Sequence, residues 1–188
     1  MLGMVREMKK KKHGIPEDML SVFENIYHQH RDEIRFSPEW NDVFCQAMSK
    51  HLTQAQRFQL YETQGACNGA AADSERKIFA LEHAHLALDE RIALFAETFG
   101  RCKPVLNDDN TLTLIFKCSH GYYARVKEGK FSTPPLNVEG YFERCAGGRL
   151  YELQKALGIK LRIKSVDVSP LFEHVENPVV FTFEIVEN

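Results

Sequence analysis

Leu112-Thr113-Leu114-Ile115-Phe116-Lys117-Cys118 is where the chain changes its period. Side chains along a strand alternate, so Leu112, Leu114, Phe116 and Cys118 share one face and Thr113, Ile115 and Lys117 the other. Downstream, Tyr122 to Val126 reads as a second strand, joined as a hairpin across Ser119 to Gly121. Gly129 to Asn137 holds Pro134-Pro135 and reads as a loop. Val138 to Leu157 returns to the helical period and ends at Gly158, the residue type that follows a helix C-terminus. Leu161 to Val168 and Val179 to Val186 read as two closing strands, with Pro170 and Pro178 punctuating their connection.

Upstream the period is helical. Pro16 suits the first turn of a helix carrying Leu20, Phe23, Ile26 and Tyr27. Ser37-Pro38-Glu39 starts a second, with Trp40, Val43, Phe44, Ala47 and Met48. Thr53 caps a third, with Phe58, Leu60 and Tyr61. Gly65 and Gly69 bracket Ala66-Cys67-Asn68. Asp73 or Ser74 then caps one long helix running to Phe99 and stopping at Gly100. Together these predict an α+β chain: a helical N-terminal half, residues 15–100, packed on a small, mainly antiparallel sheet of about four strands with one late helix, residues 101–188. No repeat or linker divides it, so residues 15–188 read as a single domain behind a flexible basic tail, residues 1–14.

Composition narrows the classes of function. The 188 residues are 44% hydrophobic and 27% charged, which is ordinary for a globular domain that buries a core without staples. Lys plus Arg is 24 against 26 Asp plus Glu. This balance has no basic excess of the kind nucleic-acid binding draws on. No apolar run is long enough to span a bilayer. The Lys9 to Lys12 run is followed by Gly14, Pro16, Glu17 and Asp18 instead of the apolar stretch of a signal peptide. With five cysteines and no Cys-x-x-Cys pair, the reading is free thiols in a reducing cytoplasm. The sequence is compatible with an oligomer.

Candidate chemistry sits where polar or soft residues interrupt apolar faces. On the late helix each residue turns about 100°. Val138, Phe142, Cys145, Leu153, Ala156 and Leu157 then share one side, and Arg149 falls within it, one turn after Cys145. A buried guanidinium keeps its charge, so Arg149 either finds an anion, a protein acid such as Glu143 or Asp89 or a ligand, or lays its stem on the apolar face and snorkels out to water. Gly147-Gly148 beside it implies a close approach. On the long helix, Leu81, Leu88, Ile92, Phe95 and Phe99 form the apolar stripe. His85 falls within it, Asp89 is placed to orient it, and His83 points away. Cys118-Ser119-His120 puts a thiol and an imidazole near one another. With Cys67 and Cys145 they form a candidate metal set, for which zinc or iron fits. Cys118 or Cys145 could also serve as a nucleophile with His120 or His85 as base. Cys45 reads as core, and Cys102 as a loop residue. No phosphate loop, nucleophile elbow, His-Glu-x-x-His helix or dinucleotide fingerprint occurs.

Several of these segments resemble a family. Gln64-Gly65-Ala66-Cys67-Asn68-Gly69 resembles a cysteine-glycine helical segment of certain uncharacterised bacterial proteins. Phe116 to Tyr123 is similar to their strand ending in closely spaced cysteines and a glycine. Tyr141 to Gly148 resembles their next cysteine-glycine helix, and Gly158 through Phe181-Thr182-Phe183-Glu184-Ile185 their closing hairpin. That group resembles 4-vinyl-reductase-type sensor domains and aminothiazoline-carboxylate hydrolases. The resemblance implies an α+β fold holding a small molecule, in some relatives with a cysteine-bound metal. Two positions depart from the pattern. His120 stands where a second cysteine is expected, and Arg144 where another often precedes Cys145. Cys67, Cys118 and Cys145 remain as shared positions, with His120 as a substitute ligand.

Three functional readings follow. The first is a small-molecule-binding or sensing domain, metal-assisted or not, whose ligand carries an anionic group. Its pocket lies between the long helix, the late helix and the sheet, lined by Arg149, His85, His120 and Cys145. The second is a hydrolase of a small amide or aminothiazoline-type acid. The third is an interaction module without a pocket.

Overall fold

The computed structural model describes residues 2–10, 13–30, 38–65, 69–100, 103–116, 137–169 and 179–186. The fold is α+β. Seven helices are described: α1 (Leu2–Met8), α2 (Glu17–His30), α3 (Pro38–His51), α4 (Gln54–Tyr61), α5 (Gly69–Glu82), α6 (Leu88–Phe99) and α7 (Val138–Leu157). The strands are β1 (Pro104–Leu106), β2 (Thr111–Phe116), β3 (Lys160–Val168) and β4 (Val179–Val186). They form one antiparallel sheet in the order β1-β2-β4-β3.

The chain divides into two compact units, and each draws on both halves of the sequence. One takes residues 1–64 and 118–144, the other residues 65–117 and 145–188. The border does not fall at residue 100, where the period changes. Residues 138–144 of α7 go with the first unit and 145–157 with the second.

In the first unit, α1 packs on α2 and α4, and α3 on α2 and α4. Residues 1–14 were expected to form a flexible tail. Instead, residues 2–8 are helical and Val5 and Met8 are buried. The apolar spacing Val5–Met8 places both on one helical face despite the lysines that follow. Leu20, Phe23, Phe44, Met48, Phe58, Leu60 and Tyr61 fill the interior as the helical spacing predicts, whereas Val43 is exposed. The α4 start has the reciprocal cap its sequence encodes. The Gln56 N–H donates to the Thr53 hydroxyl (3.3 Å) and the Thr53 N–H to the Gln56 side chain (3.0 Å). Asn137 opens α7 by accepting from the Gly140 N–H (2.7 Å) and donates to Ser49 (2.8 Å). A Cβ at Gly140 would stand 2.9 Å from Asn137 Oδ1 and 3.3 Å from the Cys45 Cβ, so a side chain there would crowd this approach of α7 to α3.

In the second unit, one face of the sheet is core. Leu112, Leu114, Leu161, Ile163, Val179, Phe181 and Phe183 are all buried. This is the alternation read from Leu112 onward. Phe181 and Phe183 of β4 pair with Leu114 and Leu112 of β2. A bulge lies between Ile163 and Ser165 of β3. α7 ends at Gly158, which adopts φ +66 and donates to Gln154 O (3.0 Å).

The predicted single long helix is two helices, α5 and α6, separated by a turn over residues 83–87. Every residue from His83 to Ala87 tolerates a helix, so composition gives no break. The break comes from competing local bonds. His83 Nδ1 lies 2.8 Å from Phe79 O, and the Ala87 N–H donates to the Glu90 carboxylate (3.0 Å), starting a new helix. Gly100 then closes α6 in the left-handed conformation, as predicted. The expected stripe does not survive the break. Leu81 is 79% exposed and His85 is an exposed turn residue, while Ile92 and Phe95 are buried.

Candidate functional site

α5 and the second part of α7, both in the second unit, bring a set of charged side chains together. Asp73, Arg76 and Lys77 lie within one turn of α5. Arg149, Glu152 and Lys155 recur at three-residue spacing along α7, with Tyr151 beside them.

Glu152 is the centre of the set and is 3% exposed. The Arg149 guanidinium grips it with both arms, Nη1 to Oε2 and Nη2 to Oε1, each at 2.7 Å. Arg76 Nη2 reaches the same Oε2 at 3.2 Å, and its Nη1 donates to Ala72 O at 2.8 Å. Two nearly buried guanidiniums therefore share one carboxylate. Arg149 and Glu152 take part in further interactions beyond these. Arg76 is 6% exposed, and its Nε is buried with no hydrogen-bond partner. Its guanidinium carbon stands 5.7 Å from the centre of the Phe99 ring. That ring closes an aromatic group with Phe79 and Phe95, at centroid separations of 4.9–6.2 Å.

A partly exposed layer adjoins it. The Tyr151 hydroxyl donates to Asp73 at 2.7 Å, and Lys77 pairs with the same carboxylate at 2.8 Å. Bonds from Lys77 and then Tyr151 hold the Asp73 carboxyl below its ordinary range, and the bond to Asp73 raises the Tyr151 phenol. Lys155 Nζ lies 5.6 Å from the Tyr151 ring centre.

A second buried arginine–carboxylate pair, in the first unit, is a useful contrast. Arg57 donates from Nε and Nη2 to Glu143 at 2.6 and 2.7 Å, and from Nη1 to Leu52 O at 3.0 Å. Glu143 is fully buried, and its hydrogen bond raises the Arg57 pKa. Each nitrogen of this guanidinium has a protein acceptor, so the pair is a complete structural unit. Nearby, burial holds the Tyr61 phenol well above its ordinary range, with Cys45 and Glu143 contributing.

The residues expected in the site are only partly brought together. Arg149 lies in it, paired to Glu152 and not to Glu143 or Asp89. Cys145 is half-buried one turn earlier on α7 and has interactions of its own. His85 and Asp89 are exposed, at the turn and in the first turn of α6, so neither occupies the buried stripe assigned to them. His83, expected to face away, is half-buried with its ring 4.4 Å from that of Phe79. Cys67, Cys102, Cys118 and His120 lie outside the described residues, as does the expected strand Tyr122 to Val126. Among the described residues, no three or more His, Cys, Asp or Glu side chains group to hold a metal ion. No described helix is long and apolar enough to cross a membrane.

Arg76 and Glu152 were not anticipated. Glu152 lies about 60° from Arg149 around α7, on the flank of the apolar stripe, and that position was legible on the wheel. Arg76 carried no such mark, since Ser74-Glu75-Arg76-Lys77 reads as a solvated stretch. No protein-family model matches this chain, and neither a curated protein nor a solved structure shows significant similarity to it.

Proposed function

We propose that this chain is a small-molecule-binding domain, and that the anionic group of its ligand is held at Arg76 and Arg149. One observation carries the reading: Arg76 is more than nine-tenths buried, shares the Glu152 carboxylate with Arg149, and among the described residues its Nε has no partner. A buried donor with no acceptor costs stability, about 1–3 kcal/mol, and an arriving anion would supply the acceptor. The contrast with the saturated Arg57 supports it. The test is thermal unfolding of the full chain with acetate, benzoate, sulfate and phosphate. A ligand at one hundred times its Kd stabilises by about 2.7 kcal/mol. We expect at least one anion to raise Tm, and Arg76→Met to remove the rise. A parent Tm indifferent to the whole panel would refute the reading.

A hydrolase of small amide acids is the second reading, favoured by the position of the Cys145 thiol one turn before Arg149. In that arrangement Arg149 holds the substrate carboxylate while the Cys145 sulfur attacks the amide carbonyl, the amine leaves with the thiol proton, and water cleaves the resulting thioester. Alkylation of Cys145 near neutral pH, faster than that of a free thiol, supports it. An ordinary or slower rate removes its basis.

A further inference from the structure

We infer that the anion taken at Arg76 and Arg149 is doubly charged, the phosphate monoester of a small soluble molecule, and not a single carboxylate. The inference rests on the reading of that cluster as a ligand site. It comes from how charge is distributed around Tyr151. Arg76, Lys77 and Lys155 all approach this region: Asp73 senses both Lys77 and Lys155, and Tyr151 senses Lys77 and Arg76. Two carboxylates face them. Asp73 is taken by Lys77 and by the Tyr151 hydroxyl. Glu152 is gripped on both oxygens by Arg149 and only touched by Arg76. Lys155 has no carboxylate within ion-pairing distance among the described residues. Its Nζ stands over the Tyr151 ring instead.

Among the described residues, two cations therefore have no carboxylate to themselves, Arg76 inside and Lys155 at the exposed edge. One negative charge balances one of them, and a dianion balances both. A phosphate monoester brings close to two charges near neutral pH and three acceptor oxygens, against one charge and two oxygens for a carboxylate. Arginine suits the buried end, where its fork matches phosphate geometry. Lysine suits the wet end as a mobile point charge.

The test compares phenyl phosphate with phenyl sulfate by titration calorimetry on the full chain, since the two share a shape and differ by one charge. Phosphate should bind the parent about tenfold more tightly or better, a difference of about 1.4 kcal/mol. In Lys77→Gln/Lys155→Gln, which alters an exposed and a half-buried side chain, the ratio should fall to about one while Tm falls by no more than the loss of the exposed Lys77–Asp73 pair explains. Equal affinities in the parent, or a ratio untouched by the lysine replacements, overturn the dianion. If benzoate or phenyl sulfate binds as well as phenyl phosphate, the ligand site stands and the dianion falls. If neither ester nor any anion of the panel binds, the site itself falls.

Discussion

Removing Arg57 strands Glu143, a carboxylate with no exposure at all. Arg57→Met keeps the stem and deletes the charge, so the loss is that of an uncompensated buried acid, about 3–5 kcal/mol in urea unfolding. Arg149→Met should cost less, about 1–3 kcal/mol, because Arg76 still reaches Glu152. Equal losses would show that Arg76 does not share the carboxylate. Asp73 yields a pH prediction. Its folded pKa is depressed, first by Lys77 and then by Tyr151. A depressed carboxylate stabilises above its unfolded pKa of about 3.9, and that contribution disappears as pH falls through the folded value. The Tm gap between the parent and Asp73→Asn should therefore hold from about pH 6 to pH 5 and close toward about pH 3. A gap that widens with acid has the wrong sign. The need of Arg149 for an anion was legible because a charge stood inside an apolar stripe. Its partner was sought at Glu143, earlier on the same helix, or at Asp89, whereas it is Glu152, three residues further along.

Helix ends repay reading when a side chain makes them. Thr53 with Gln56, and Gly100 and Gly158 at φ near +60, sit where the sequence places them. The α5–α6 break was hidden because its cap is Ala87, which has no side-chain oxygen and leaves the work to Glu90. Ala87 already holds the extended conformation a cap requires, φ −64 and ψ 159. Ala87→Ser should therefore add a bond without moving the backbone and stabilise by about 0.5–1 kcal/mol. Thr53→Ala should lose about the same from α4. Chemical denaturation of the two variants checks both signs. A destabilised Ala87→Ser protein would mean that the turn does not admit the hydroxyl.

The whole chain is held by contacts that its periodicity does not announce. The change of period predicted the class of fold, the strand alternation from Leu112, the closing strands and the span of α7. It did not predict the division into units, because periodicity reports which face is apolar and not what covers it. The first unit closes with residues 137–144, which bring Glu143 to Arg57 and Gly140 against Cys45. The second needs α5 and α6, whose Phe79, Ile92 and Phe95 are buried and whose Asp73 and Arg76 engage Tyr151 and Glu152. Cutting at Gly100, where the sequence invites a boundary, removes from each half a buried partner that lies in the other. Fragment 1–100 keeps Arg57 without its carboxylate, and fragment 101–188 keeps Glu143 and Glu152 without Arg57 and Arg76. Each would carry unpaired buried charge and an uncovered apolar face, terms large beside the 5–15 kcal/mol that hold a domain folded. Neither fragment alone should show a cooperative thermal transition or near-ultraviolet dichroism. Mixed, the two should regain both signals. A cooperative transition in isolated 1–100 would mean that the helical half supplies its own core and that the Arg57–Glu143 pair is incidental to it.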